Sequence, residues 1–293
     1  MDLILTVLEI VAPVLLIGLA GFAWVKLGFE YRMQFVTQLA MTLSLPCLVF
    51  TALMNSALEP SALRDVLLAS VAAYAAVTVV MLTLTKAFRL NLQTYLAPLI
   101  FGNTGNVGFP LAFFAFGEEG LVYAVMIFAV MAVYSFTAGV WMVSGGGSVA
   151  RVFKEPVVAA TLLGALFLSQ GWKTPSFLTN ALELVGQLAI PLMLLTLGVA
   201  VARLSPRSLG QAFWLSLLKA IICAAIAWGV GRYFGLNQVA FAVLVLQVTT
   251  PVAVTSYLLA EKYGTNSEVV SGLVVVSTLL SVGYIPLILA FVI

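Results

Sequence analysis

An all-α polytopic membrane protein is the architecture this chain encodes, and three features lead to it. Apolar runs of about 20 residues, the length a bilayer core demands, recur from end to end. Of the 293 residues, 63% are hydrophobic and only 8% charged, with a mean hydropathy of +1.16. A soluble domain carries roughly 25% charged residues, so this chain cannot cover a globule with polar surface. Third, two of the apolar runs hold glycine, proline and amide residues at their centres, where lipid-facing helices have no use for them. A β-barrel is excluded, because its strands would alternate over about ten residues instead of running apolar for twenty.

Ten spans are expected. The first (5–24) closes at Lys26, and the second (33–53) carries "LSLPCLVFTAL" around Pro46. The third (62–85) opens on Arg64 and Asp65 as solvated helix-start residues and closes at Lys86. The fourth (93–116) reads "LIFGNTGNVGFP", and the fifth (120–143) leads into "SGGGSVARVFKE", a flexible cytoplasmic linker over 144–155. The sixth (156–171) precedes a seventh (177–201) that carries "LAIPLMLLTLG" around Pro191. The eighth (210–231) contains Lys219, the ninth (238–260) reads "LVLQVTTPVAVT", and the tenth is 268–292. The expected units are a first five-helix repeat (1–143) and a second, inverted one (156–293) joined by the linker.

Basic residues give the expected orientation. Odd-numbered connections hold Lys26, Arg32, Lys86, Arg89, Arg151, Lys154, Arg203, Arg207 and Lys262, nine in all; even-numbered ones hold Arg64, Lys173 and Arg232. This puts the odd connections in the cytoplasm and both termini on the external, periplasmic side of the cytoplasmic membrane. The opening "MDLILTVLEIV" lacks a basic stretch and reads as the first span, not as a cleaved signal.

Sliding the chain by 147 lays Asn103 and Thr104 over Thr250 and Pro251, and sliding by 145 lays Pro46 over Pro191. An odd number of spans per repeat makes the halves opposite in orientation, and inverted five-helix repeats are a transporter architecture. In "FGNTGNVGFP", Gly102, Gly105, Gly108 and Pro110 crowd into nine positions, which is poor helix material. This segment is expected to break near 102–108, its partner near Pro251, and the two to cross at mid-membrane. Half-helices that begin there point positive dipole ends at the site, which favours an anion. The alternative is packing: small residues let helices approach, and prolines kink spans. Pro46 and Pro191 either kink their spans or line the site.

Lys219 lies about nine residues into the eighth span, and a lysine near a helix centre costs about 2.5–3.5 kcal/mol on insertion scales. It faces either a cavity that binds substrate or the cytoplasmic edge by snorkelling. Cys47 and Cys223 sit in apolar runs as packing residues, and histidine is absent, so no imidazole relay or His-ligated metal is available. The net charge of +2 is too small and dispersed for nucleic acid.

At these motifs the chain resembles the auxin efflux carrier family, bacterial carriers together with the plant PIN-formed proteins. The resemblance rests on "GNTGNVGFPL", "LSLPCLVF", "FKEP" and "TTPVAVTSYLLAEKYG", and covers the chain as a ten-helix pattern. It implies the inverted-repeat fold shared with sodium–bile acid symporters, a scaffold and a transport domain, an elevator-like cycle, carboxylate substrates and a homodimer. It also implies that Asn103 and the Gln247–Pro251 segment line the site. The central loop is only about a dozen residues, so regulation through a long phosphorylated loop does not carry over, and Asp65 lies near its span's end.

The expected function is secondary transport of a small organic anion, with substrate contacts from Asn103, Thr104, Asn106, Gln247, Thr249, Thr250, Pro251 and Lys219. No cofactor or metal is expected beyond a coupling proton or sodium ion. The alternative on the same fold is a sodium-coupled symporter of the bile-acid-transporter type, though no carboxylate stands at the crossover to hold sodium strongly. An intramembrane enzyme would need paired carboxylates, a metal cluster or an activated nucleophile at depth. No Gly-rich loop ending in Gly-Lys-Ser/Thr supplies ATP hydrolysis.

Overall fold

The computed structural model describes residues 3–144, 156–204 and 209–293, and among them the regular elements are all helical. The linker at 144–155 lies outside the described residues except for Ser144, and so do Arg151, Lys154 and Arg207 of the charge tally. In chain order the helical runs are α1 (Leu3–Lys26), α2 (Met33–Asn55), α3 (Pro60–Ala87), α4 (Leu92–Ile100), α5 (Thr104–Ser144) and α6 (Pro156–Gln170). They continue as α7 (Ser176–Arg203), α8 (Leu209–Tyr233), α9 (Gln238–Val248), α10 (Val254–Lys262) and α11 (Ser267–Val292). Seven of them, α1, α2, α3, α5, α7, α8 and α11, are long and apolar enough to cross a membrane; α4, α6, α9 and α10 are shorter.

Breaker residues shape these runs. In α2 the turn Ala40–Ser44 is widened to π geometry just ahead of Pro46, whose ring has no N–H to give to the carbonyl of Thr42. In α7, Pro191 likewise cannot bond to Gln187, and the helix is interrupted at Leu188. Both prolines therefore act on helix geometry. In α5 the backbone reverses at Gly117, with φ 61° and ψ −148°, a conformation open to glycine alone. Glu118 and Glu119 follow this turn, and a second π segment, Ser135–Gly139, lies beyond it.

Two sets of helices pack around the interior. α1 lies along α7 so closely that a Cβ on Gly198 would strike the carbonyl of Gly18, and one on Gly21 the carbonyl of Leu195. α2 packs on α6 and α7, with Phe50 edge-on to Phe167 at 5.2 Å. Backbone contact across small residues is how helices associate where lipid removes any hydrophobic drive. The second set, α3, α4, α5, α8, α9 and α11, surrounds the interruptions between α4 and α5 and between α9 and α10. Lys219, Cys223, Tyr74 and Gln247 are buried within it.

Candidate functional site

The site is built where two helices stop. Asn91 caps α4 by accepting from the Thr94 N–H at 3.0 Å, and nine residues later α4 ends at Ile100. Helical geometry resumes at Thr104. α9, capped by Asn237, ends at Val248, and α10 begins at Val254. The two gaps lie side by side as a short antiparallel bridge centred on Gly102 and Val252. The Asn103 N–H donates to the Pro251 carbonyl at 2.7 Å, and the Ala253 N–H to the Phe101 carbonyl at 3.3 Å.

Unwound backbone persists at membrane depth only where protein or water satisfies it, and here the partners come from two other helices, α8 and α11, and from the gaps themselves. Ser277 Oγ accepts from the Val252 N–H at 2.9 Å, and the Tyr284 hydroxyl donates to the Thr249 carbonyl at 3.0 Å. Lys219 Nζ donates to the Thr250 carbonyl at 3.0 Å. Close approach explains two of the glycines: a Cβ on Gly102 would strike the Thr250 hydroxyl, and one on Gly108 the side-chain amide of Gln247.

The Asn103 carbonyl accepts from the N–H groups of Val107 and Gly108, at 3.1 and 3.2 Å. The N–H groups of Thr104, Gly105 and Asn106 thus precede the first bond of their helix and form its positive end. They border a cavity of about 90 Å³ whose wall includes Gly102, Asn103, Thr104, Gly105 and Asn106. The opposite wall comes from Met33, Thr37, Ala40 and Met41 of α2 with Met193 and Thr196 of α7, and α5 adds Phe128, Met131 and Ser135. Asn103 is 5% exposed, and among the described residues its Nδ2 and the Thr104 hydroxyl have no hydrogen-bond partner. Leaving a buried donor unmade costs about 1–3 kcal/mol, so each is an unmet donor carried by a residue that lines the cavity.

The expected site residues therefore divide. Asn103, Thr104 and Asn106 line the cavity, together with Gly102 and Gly105. Gln247, Thr249, Thr250, Pro251 and Lys219 belong to the crossing itself and are not among its lining residues. The Gln247 amide is fully buried with neither atom partnered among the described residues, and the hydroxyls of Thr249 and Thr250 bond back to the Val245 and Gln247 carbonyls of their own segment. Lys219, 2% exposed, reaches the crossing strand and not the cytoplasmic edge. Pro110 is buried at the start of a helical stretch of α5, while Pro46 and Pro191 stand away from the cavity.

Sequence reasoning missed the α11 residues that hold the crossing. Ser277, Ser281 and Tyr284 fall at i, i+4 and i+7, a polar stripe on one face that could have marked them. It also missed the wall from α2 and α7, for which Thr37 and Thr196 were the only polar hints.

A larger cavity of about 600 Å³ is lined by Thr51 and Asn55 of α2, Glu118 and Glu119 beyond the Gly117 turn, and Glu183 and Gln187 of α7. Asn55 Nδ2 donates to Glu183 Oε1 at 3.0 Å, and Lys173 Nζ to the Met54 carbonyl at 2.6 Å. Three carboxylates make it the less suitable of the two for an anion.

Comparison with known proteins bears on the same residues. The family described as "Membrane transport protein" matches residues 145–289. An uncharacterized transporter of Methanothermobacter thermautotrophicus is 28% identical over 300 residues, covering 95% of this chain and 96% of that protein. A protein of Rhizobium meliloti described as "Putative malonate transporter" is 25% identical over 262 residues, covering 82% of this chain and 81% of its own length.

Proposed function

Because this chain belongs to the membrane transport protein family, the auxin efflux carriers that its motifs resemble, we propose that it carries a small carboxylate across the cytoplasmic membrane as a secondary transporter, not as an enzyme. One observation carries the reading: Asn103 and Thr104, whose Nδ2 and Oγ1 are buried without partners among the described residues, line a cavity at the positive end of a helix. That is a site for carboxylate oxygens, since amide and hydroxyl donors join the free N–H groups of the first turn. A volume of about 90 Å³ corresponds to roughly three waters, so the ligand is short. The Rhizobium meliloti relative's description points to the same size class, a short dicarboxylate.

In this reading the ten spans form two inverted five-helix repeats, 1–143 and 156–293, joined by a cytoplasmic linker, in a homodimer. α1, α2, α6 and α7 act as the scaffold. The set holding the crossing slides past them, exposing the cavity to each side in turn. The separate packing of the two helix sets, with the cavity between α2 and α7 on one side and the crossing on the other, supports this division. Purified protein in detergent is expected to melt at a higher temperature with short dicarboxylates than with chloride, and proteoliposomes to take up the stabilising compound. No carboxylate that either stabilises the protein or is taken up would overturn the reading.

The orientation makes a separate prediction. With Cys47 and Cys223 replaced, a cysteine at Glu30 is expected to react with an impermeant maleimide only in inside-out vesicles. One at Trp172 is expected to react only in intact cells. The reverse pattern would place both termini in the cytoplasm.

A further inference from the structure

Where a helix is broken inside a transporter, carbonyls at the C-terminal end of the half-helix are the usual ligands of a coupling cation. In this protein the chain fills that place itself. α9 ends at Val248, so the carbonyls just beyond it carry the negative end of its dipole. Three successive ones are satisfied from three different elements. The Thr249 carbonyl takes the Tyr284 hydroxyl of α11, Thr250 takes the Lys219 ammonium of α8, and Pro251 takes the N–H of Asn103. Lys219 is 2% exposed and lies at the middle of α8, and its partner is a backbone carbonyl, not a carboxylate.

A buried charge in an apolar segment is costly, and its retention marks a role. Packing alone would be met by methionine or leucine at far lower cost. Snorkelling is ruled out by the bond to Thr250. Contact with the substrate is equally unsuited, because Lys219 is not among the residues of the cavity, whose wall at this point is Asn103 and its neighbours. What remains is the geometry itself: an ammonium held against the end of α9, one peptide away from the carbonyl that binds the Asn103 backbone.

We propose that Lys219 is a tethered counter-cation that occupies the place of a coupling metal ion at the crossing, so that this transporter works without sodium. The inference rests on the transport reading for its consequence, though not for its test. Lys219 is then a positioning residue. Its charge offsets the negative end of α9, and its bond holds the 249–251 strand in register with Asn103, so that an anion at Asn103 gains a positive charge nearby without touching it.

The test uses full-length protein in detergent, melted in choline, sodium or methylammonium chloride at equal ionic strength. Wild-type protein is expected to melt at one temperature in all three. Lys219→Ala removes the ammonium and leaves room for a free cation. It is expected to melt low in choline and higher in methylammonium or sodium, because whatever binds only the native state stabilises it. Lys219→Met fills the space without a charge and is expected to gain nothing from either cation. In proteoliposomes, uptake by Lys219→Ala should fall roughly ten- to hundredfold, the loss of a hydrogen bond to a charged group, and recover in part with methylammonium. Lys219→Ser, which also leaves the space open, carries the same comparison if the alanine variant does not purify. A wild-type protein stabilised or driven by sodium overturns the proposal, as does a Lys219→Met variant that transports normally or a Lys219→Ala variant blind to cations. Should the wild type move no carboxylate, the transport reading fails, while the melting series still decides the role of Lys219.

Discussion

Asn103→Ala is expected to weaken carboxylate binding roughly ten- to hundredfold while leaving the substrate-free protein as stable as wild type, or more so. The two effects have different sources. The backbone of residue 103 holds the crossing, through its N–H to Pro251 and its carbonyl to Val107 and Gly108, and alanine keeps all of this. The residue lines the cavity, and its side chain carries a buried Nδ2 with no partner among the described residues. Deleting it removes an unmet donor from the empty protein and a ligand contact from the loaded one. Binding followed by thermal shift and uptake in proteoliposomes separates the two. If Asn103→Ala instead loses folded protein together with activity, the side chain serves packing and the cavity is not the substrate site.

Gly198→Leu is expected to abolish the folded protein or lower its melting temperature sharply. Overfilling a packed interior costs about 1–3 kcal/mol where side chains can shift, and more where they cannot. Here the obstacle is the Gly18 carbonyl, with the Phe22 N–H beside it, so the relief available is separation of α1 from α7. Gly21, against the Leu195 carbonyl, adds a second point of the same contact. Gly229→Ala is the control: a Cβ there meets nothing within 4 Å, and alanine is the better helix former, so stability should hold or rise slightly. Fluorescence-detected size exclusion and melting curves read both variants. A Gly198→Leu protein that melts like the wild type would show that α1 and α7 do not meet along this line.

The membrane class and the positions of the helices were legible because they depend on local averages. Twenty apolar residues in a row are a property of one stretch of chain, and so is a cluster of glycine and proline that cannot continue a helix. Helices accordingly end at Ile100 and Val248, beside the glycines at 102–108 and before Pro251, and the chain turns at Gly117, where φ 61° together with ψ −148° is open to glycine alone. Direction was another matter. Asn103 and Gln247 are both buried amides in interrupted runs, yet one borders a cavity and the other lies against Gly108. Nothing in their residue type or spacing distinguishes them. Lys219 could have turned to the cytoplasmic edge or to an interior partner, and its neighbours in α8 are apolar either way. The choice was made by the Thr250 carbonyl, freed when α9 ended and brought within 3.0 Å by the packing of α8 on α9. Ser277 and Tyr284 became partners of the crossing for the same reason. A broken helix exposes backbone groups whose burial must be compensated, and which distant side chain compensates them depends on which helices come to lie alongside.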